Sequence, residues 1–574
     1  MTMDTLDNPT WPNGPALDSP ARNRPALDRP ALDSPTLCDA LRALGPGASM
    51  TYPRTGERLD ATGLDTASER FAHALVAAGV RPGDVVGLLS PTGPQVLVGL
   101  LGIVRAGAAA SMLPTTAGTP EREAERLAPA IGAAGMRHLV VHPDCADTAR
   151  VLHGLHPALT MVDTESSAGP SPAGRLPRVS PEDLAVVQFT SGSTSAPKGV
   201  MLSHATVLAG LRAIAASARM SGDDVMVTWV PHFHDMGLFG PLAVLFAGGS
   251  VHVIPPLDFV RRPGRVLRLL AETGATLLTG PDFSYQRLAA AAAREPAPEL
   301  DLSRWRLAFN GAEPVRAATV DAFRTQLAPA GVAPSTMYPV YGMAEATLAI
   351  TFPAPGTAPR VVHVDRRRLS DEGLAVEVPS DHPKAKPLVS VGRPVLGMGM
   401  RLVDTAGSVC GKGQLGEIQI SGPAVTTGYY GDPAATAAAF DGPWLRTGDL
   451  GLQLDGDLFV TGRRKEMIVV NGQNHFPEDA ESLARDLPGV HRGRCVAYAD
   501  TAGERLTVAV EIAPGGDPDE VAGQIHRTLT ERLGTASVHV HPLRPGWLPV
   551  TTSGKWQRGL VRDLLADGAV GAQR

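Results

Sequence analysis

Between about residue 36 and residue 461, short apolar runs alternate with Ala-rich stretches of helical character. Val85–Leu89 leads into a helix around Gln95–Ala106, and His138–His142 is followed by helical Ala146–Leu155. Such alternation predicts an α/β domain, with parallel-rich sheets flanked by helices. The texture changes after Gly462. A strand at Met467–Val470 precedes a helix opened by Pro477, Glu478 and Asp479. Proline there fits the first helical position, and acids favour the positive end of the helix dipole. Pro488-Gly489 ends that helix, and strands at Arg494–Ala499 and Leu506–Ile512 follow. A helix at Asp519–Leu533, a strand at Ser537–Leu543 and a terminal helix complete a smaller α+β unit. The expected division is an N-terminal domain over 36–462, a hinge at 463–465 and a mobile C-terminal lid over 466–574.

Ahead of residue 36 the pattern is of another kind. PALDSP at 15–20, PALDRP at 25–30 and ALDSP at 31–35 make a short repeat. Dense Pro and Asp with little aromatic content reads as a disordered tail over 1–35.

Composition narrows the function classes. The chain has 574 residues, a net charge of −6 and no long basic stripe, which argues against nucleic acid as the main partner. No signal-peptide core or membrane span is visible. Four separated cysteines, without a CxxC pair, read as reduced thiols of a cytoplasmic protein. Of the 52 Lys plus Arg, six are lysines: Lys198, Lys384, Lys386, Lys412, Lys465 and Lys555. A chain this biased towards Arg points to those lysines as places where a compact, flexible ammonium is needed, although base composition also produces such a bias.

Three of the six fall in motifs. Thr190-Ser191-Gly192-Ser193-Thr194-Ser195-Ala196-Pro197-Lys198-Gly199 lies between strands at Leu184–Phe189 and Gly199–Leu202. Its hydroxyls, backbone N–H groups and ammonium suit a polyphosphate. Pro197 before Lys198, and a strand where a helix should follow, set it apart from a Walker A loop. Taken alone, it could be a flexible Ser/Gly turn.

This loop resembles the phosphate-binding signature of the adenylate-forming superfamily, and further motifs continue the resemblance in order from about residue 36 to 565. Trp229-Val230-Pro231-His232-Phe233-His234-Asp235-Met236-Gly237-Leu238 is most similar to the fatty acyl-AMP ligases. By composition, His-x-His-Asp could be part of a metallohydrolase site, but the further ligands such a site needs are not nearby. The resemblance implies instead a loop at the carboxylate and acyl entrance, with His234 among the catalytic residues.

By the same resemblance, Gly311, Ala312 and Glu313 would line the adenine, with Tyr341 stacked on it beside Gly342. Glu345 would hold Mg2+, a hard cation suited to carboxylate oxygen. Asp449 would accept the ribose hydroxyls with Arg463 beside it, and Lys465 would be the hinge. Lys555, in Thr551-Thr552-Ser553-Gly554-Lys555, would neutralise charge developing between carboxylate and α-phosphate. Such groups are typically worth about 3–4 kcal/mol, or 10²–10³ in rate. Ala344 stands where many relatives carry Thr, as in the fatty acyl-AMP ligases. The segment from about Pro353 to Val389 looks like the insertion of that branch, although an unrelated surface loop is the alternative. Lys198, Arg366, Arg367 and Arg368 could attract the phosphates of CoA.

What the resemblance implies is ATP-dependent activation, with Mg2+, of a fatty or related carboxylic acid to acyl-AMP. Transfer to the phosphopantetheine thiol of a holo acyl carrier protein would follow. An acyl-CoA ligase using free CoA is the near alternative. A non-catalytic sensor of nucleotide or acyl ligand is the distant one, and it would predict decay at Lys555, Glu345 or Asp449.

Overall fold

The computed structural model describes residues 30–116, 118–168, 175–190, 197–294, 299–470, 473–500, 503, 505–550 and 556–566. The expected alternation is present. Seven strands form one sheet, in the order Met337–Pro339, Leu307–Asn310, Leu277–Gly280, Val225–Thr228, Ser250–Val253, Ser49–Tyr52 and Glu57–Asp60. All neighbours are parallel except the last pair. A six-stranded sheet runs Thr160–Asp163, His138–Val141, Val85–Leu89, Ala109–Met112, Leu184–Thr190 and Lys198–Ser203, with an antiparallel hairpin at the end. Buried parallel strands explain the unbroken apolar runs, since helices cover both faces of such sheets.

Two regions depart from the alternation expected up to residue 461. Residues 399–463 form an antiparallel sheet of Gly399–Val403, Gly416–Ser421, Trp444–Leu454, Phe440–Asp441 and Asp457–Arg463. The strand Asp457–Arg463 pairs with Trp444–Leu454, which places Asp449 opposite Arg463. Within the 353–389 segment, Val361–Asp365 pairs with Ala385–Val389 around a helix at Arg366–Glu372. The Asp365 carboxylate caps that helix by accepting from the N–H groups of Arg367 and Arg368. Leu369 on this helix is fully buried, so the segment is a packed element and not a loose loop.

Residues 30–35, grouped with the disordered tail on composition, are in place against the domain. Ala31 and Leu32 are buried, and Arg212 donates to the Leu32 carbonyl at 2.6 Å. Two small apolar side chains find a pocket there that Pro/Asp content could not reveal. The rest of the expected tail lies outside the described residues.

Past residue 466 the chain forms a separate core. Strands Val490–Ala499, Leu506–Ile512 and Val538–Leu543 make one sheet. The helices Pro477–Ala484 and Pro518–Leu533 pack on it through Ala480, Ala484, Ile525 and Leu529.

Candidate active site

Between the large domain and this smaller unit lies a cleft of about 2840 Å³, and most of the sequence-predicted site residues converge on it. Thr190, Lys198, His234, Ala312, Glu313, Tyr341, Gly342, Glu345, Asp449, Arg463 and Lys465 all line it. Gly311 does not. It is buried behind the wall, where a Cβ would come within 2.8 Å of a Val340 methyl. Gly342 is likewise required by packing, because a Cβ would sit 1.6 Å from the Leu348 carbonyl oxygen. Ser191, Gly192, Ser193, Thr194 and Lys555 lie outside the described residues. The strand ends that carry the first four are in register, with Thr190 opposite Lys198.

The cross-strand register of the antiparallel sheet builds the centre of the site. Asp449 Oδ1 lies 3.0 Å from Arg463 Nε, and its other oxygen accepts from the Tyr341 hydroxyl at 2.7 Å. Burial first, then the Asp449 charge, pushes the Tyr341 phenol well above its usual range. Asp449 in turn raises the Arg463 guanidinium against the effect of burial. A carboxylate pinned from two sides has a fixed direction, which a hydroxyl-accepting role requires.

Lys465 follows in the turn Arg464–Glu466. Partial burial, then Arg463, lower its pKa, and Lys198 adds to the effect. Three cations from two segments therefore share one region, and their mutual repulsion would be relieved by a polyanion. Lys198 also lies 4.9 Å from the ring centroid of Tyr429.

Glu345 reaches the same region through Tyr429. It is buried, and its Oε1 accepts from the Tyr429 hydroxyl at 3.0 Å. Burial raises its pKa, and the nearby Asp235 charge adds to the rise while Arg463 opposes it. A carboxylate desolvated beside a second acid gains from a cation, so Glu345 and Asp235 fit a divalent ion bound among phosphates. Tyr429 escaped sequence reasoning. Its signal was Gly428-Tyr429-Tyr430-Gly431, two aromatics between glycines in a chain with seven tyrosines.

The strand Val225–Thr228 delivers Trp229, which stacks on Phe259 at 4.0 Å, and the chain then turns into the helix Asp235–Phe246. His234 precedes the first helical residue, with its Nδ1 2.6 Å from Asp235 Oδ1. Asp235 Oδ1 also accepts from the Met236 N–H, which orients the pair at the helix N-terminus. The Ala312 backbone has φ +66, a conformation that L residues rarely hold without a local reason. Next to it, Glu313 Oε1 accepts from the Phe283 N–H at 2.6 Å, and burial with the nearby Asp282 raises its carboxyl to about 7.

The small unit closes the cleft with a group that the sequence reading did not foresee. Arg558 contacts Glu466 at 2.7 Å and Glu481 at 2.8 Å, with Glu478 at 3.6 Å. Trp556, Gln557 and Arg558, which directly follow Lys555, line the cleft, and Trp556 bridges to Val550.

A family model described as AMP-binding enzyme matches residues 33–430. The chain belongs to the AMP-binding enzyme family. Relatives include a medium-chain-fatty-acid–[acyl-carrier-protein] ligase of Teredinibacter turnerae, 34% identical over 76% of this chain and 71% of that protein. A long-chain-fatty-acid–AMP ligase of Mycolicibacterium smegmatis is 30% identical over 88% of this chain and 89% of its own. A solved structure from a study of fatty acyl-adenylate ligases of E. coli and L. pneumophila superposes with a TM-score of 0.87. It is 29% identical and covers 94% of this chain and 100% of its own.

This AMP-binding enzyme also holds its small unit against the 353–389 segment. Arg366 and Lys386 reach Asp479 at 3.1 and 2.9 Å, and Lys386 lies 4.1 Å from the Phe476 ring centroid. Burial works against the Asp479 charge, yet the two cations keep its pKa below the usual carboxylate value. Arg367 and Arg368 pair with Asp371 and Glu372 on their own helix. The three arginines considered for CoA phosphates therefore all face protein carboxylates.

Proposed function

We propose that this AMP-binding enzyme is a cytoplasmic fatty acyl-AMP ligase that hands its acyl group to a carrier protein. The supporting observation is the convergence of Lys198, Arg463 and Lys465 with the buried Glu345 and the half-buried Asp235 in one cleft. The cations suit the phosphates of ATP, and the carboxylates suit Mg2+. When bound, that ion would offset charge on the phosphate oxygens. Asp449, held by Tyr341 and Arg463, would accept the ribose hydroxyls, and the Ala312–Glu313 turn with Tyr341 would border the adenine.

The fatty carboxylate enters past His234 and attacks the α-phosphorus. One P–O bond forms as the bond to pyrophosphate breaks, leaving acyl-AMP. The work of the protein is alignment and charge stabilisation, with no covalent enzyme intermediate. Lys555 would supply the remaining positive charge between carboxylate and α-phosphate.

The second half-reaction is a thiol attack on the acyl carbonyl, with AMP leaving. Packing of the small unit on the 353–389 segment through Asp479 supports a phosphopantetheine thiol on a carrier over free CoA. In this reading, 463–465 is the hinge about which that unit turns. Among the described residues no helix is long and apolar enough to cross a membrane.

The test is pyrophosphate release across a panel of carboxylic acids, followed by mass spectrometry with holo carrier protein or CoA. Release with fatty acids and acyl loading of the carrier are expected. Release only with amino or aryl acids, or acyl-CoA formation as fast as adenylation, would overturn the reading.

A further inference from the structure

The helix Asp235–Phe246 begins at the site and runs into the interior, with every residue from Met236 to Phe246 buried. Its two interior glycines have opposite surroundings. Gly237 is jammed, since a Cβ would sit 2.1 Å from the Pro231 carbonyl oxygen. Gly240 is the reverse: a Cβ there would meet nothing within 4 Å. Among the described glycines it is the only buried one with open space at that point.

Protein interiors are packed like organic crystals, and an unfilled space forfeits dispersion contacts on every side. Glycine inside a helix is itself unfavourable relative to alanine. A buried helical glycine beside a void therefore costs stability twice, and alanine would remedy both losses. The void is not isolated. Gly240 lines the same cleft as the site, together with Met236 one turn nearer the entrance. Ile214, Met226, Phe309 and Phe352 line it too, all of them apolar. Phe309 packs against Tyr338 and Phe352 at centroid distances of 5.2 and 5.7 Å, forming an aromatic wall.

From these observations we infer that Gly240 sets acyl chain length: its missing side chain keeps open an apolar branch of the cleft for an extended aliphatic tail. This inference rests on the fatty-acid reading above. Gly240 lies five residues past Asp235, roughly 7.5 Å along the helix axis. It would meet the chain several carbons beyond the carboxylate. An unbranched, saturated tail fits a branch walled by Met, Ile and Phe, since aliphatic surface gains most from leaving water against apolar side chains.

The experiment measures kcat/KM for pyrophosphate release with saturated acids from butanoate to hexadecanoate, for wild type, Gly240→Ala and Gly240→Leu. One methylene in an apolar pocket is worth about 10–200-fold in discrimination. Gly240→Leu should lower the dodecanoate-to-butanoate ratio at least about a hundredfold. Gly240→Ala should lower it about tenfold at the longest acids and raise the thermal midpoint. Should the leucine variant fail to fold, the alanine variant decides alone. A ratio unchanged within about threefold in the folded variants overturns the inference while the fatty-acid reading stands. A wild type inactive with every aliphatic acid, but active with another class, overturns both.

Discussion

Asp479→Ala removes the carboxylate that joins the small unit to the 353–389 segment. Asp479, Lys386 and Arg366 are 8%, 7% and 11% exposed, so the three charges share a nearly dry contact. Truncating one partner of a buried pair costs about 3–5 kcal/mol, because the other charge is left uncompensated. Here two cations are left facing each other. Both belong to the segment and the lost anion to the small unit, so undocking that unit is the direct route to rehydrating them. About 1.4 kcal/mol shifts a population tenfold, so even the lower figure moves the docked-to-undocked balance about a hundredfold. The Lys386–Phe476 stacking and the 3.4 Å bond from Asn474 to the Ser370 carbonyl remain as weaker holds.

The assay compares pyrophosphate release with acyl-CoA formation from free CoA, with small-angle scattering to follow the unit's position. The expected result is a larger radius of gyration and a rise in acyl-CoA relative to pyrophosphate. Replacing all three charges by apolar groups, Asp479→Leu with Lys386→Met and Arg366→Met, should restore much of the docking, since a packed apolar contact can replace a buried ion triad. An Asp479→Ala enzyme with unchanged scattering and no rise in acyl-CoA relative to pyrophosphate would refute the reasoning.

Three further outcomes are expected. Lys555→Ala should cut adenylate formation by at least about 10² while sparing transfer from supplied acyl-AMP, and near-normal pyrophosphate release would count against its role. Lys465→Pro fixes φ in the turn that follows the strand Asp457–Arg463, so adenylation and thiol transfer should suffer unequally; equal losses would argue against a hinge there. Glu313 binds its proton more tightly folded than unfolded, so its contribution to stability should fall as pH rises from about 4.5 to about 7. Glu313→Gln, which keeps the acceptor for Phe283, should flatten that part of the thermal midpoint against pH, and an unchanged slope would show that another group carries it.

Much of the molecule is written locally. Val85–Leu89, Ala146–Leu155 and Leu506–Ile512 have the same bounds in sequence pattern and structure, because apolar periodicity and turn residues act within a few positions. The ordered motifs likewise pointed to the adenylate-forming family before any contact was visible. What the pattern could not contain is which polar group faces which. Asp449 meets Arg463 through strand register, and Tyr341 reaches Asp449 from 108 residues away. Tyr429 meets Glu345 in the same manner, and Asp479, legible only as a helix-opening acid, becomes the partner of Arg366 and Lys386. Gly240 looks like any helix glycine until the space beside it is seen. Periodicity records which face of an element is apolar. Partners across the fold, and the voids between them, depend on the register and packing of distant segments, which only the assembled chain determines.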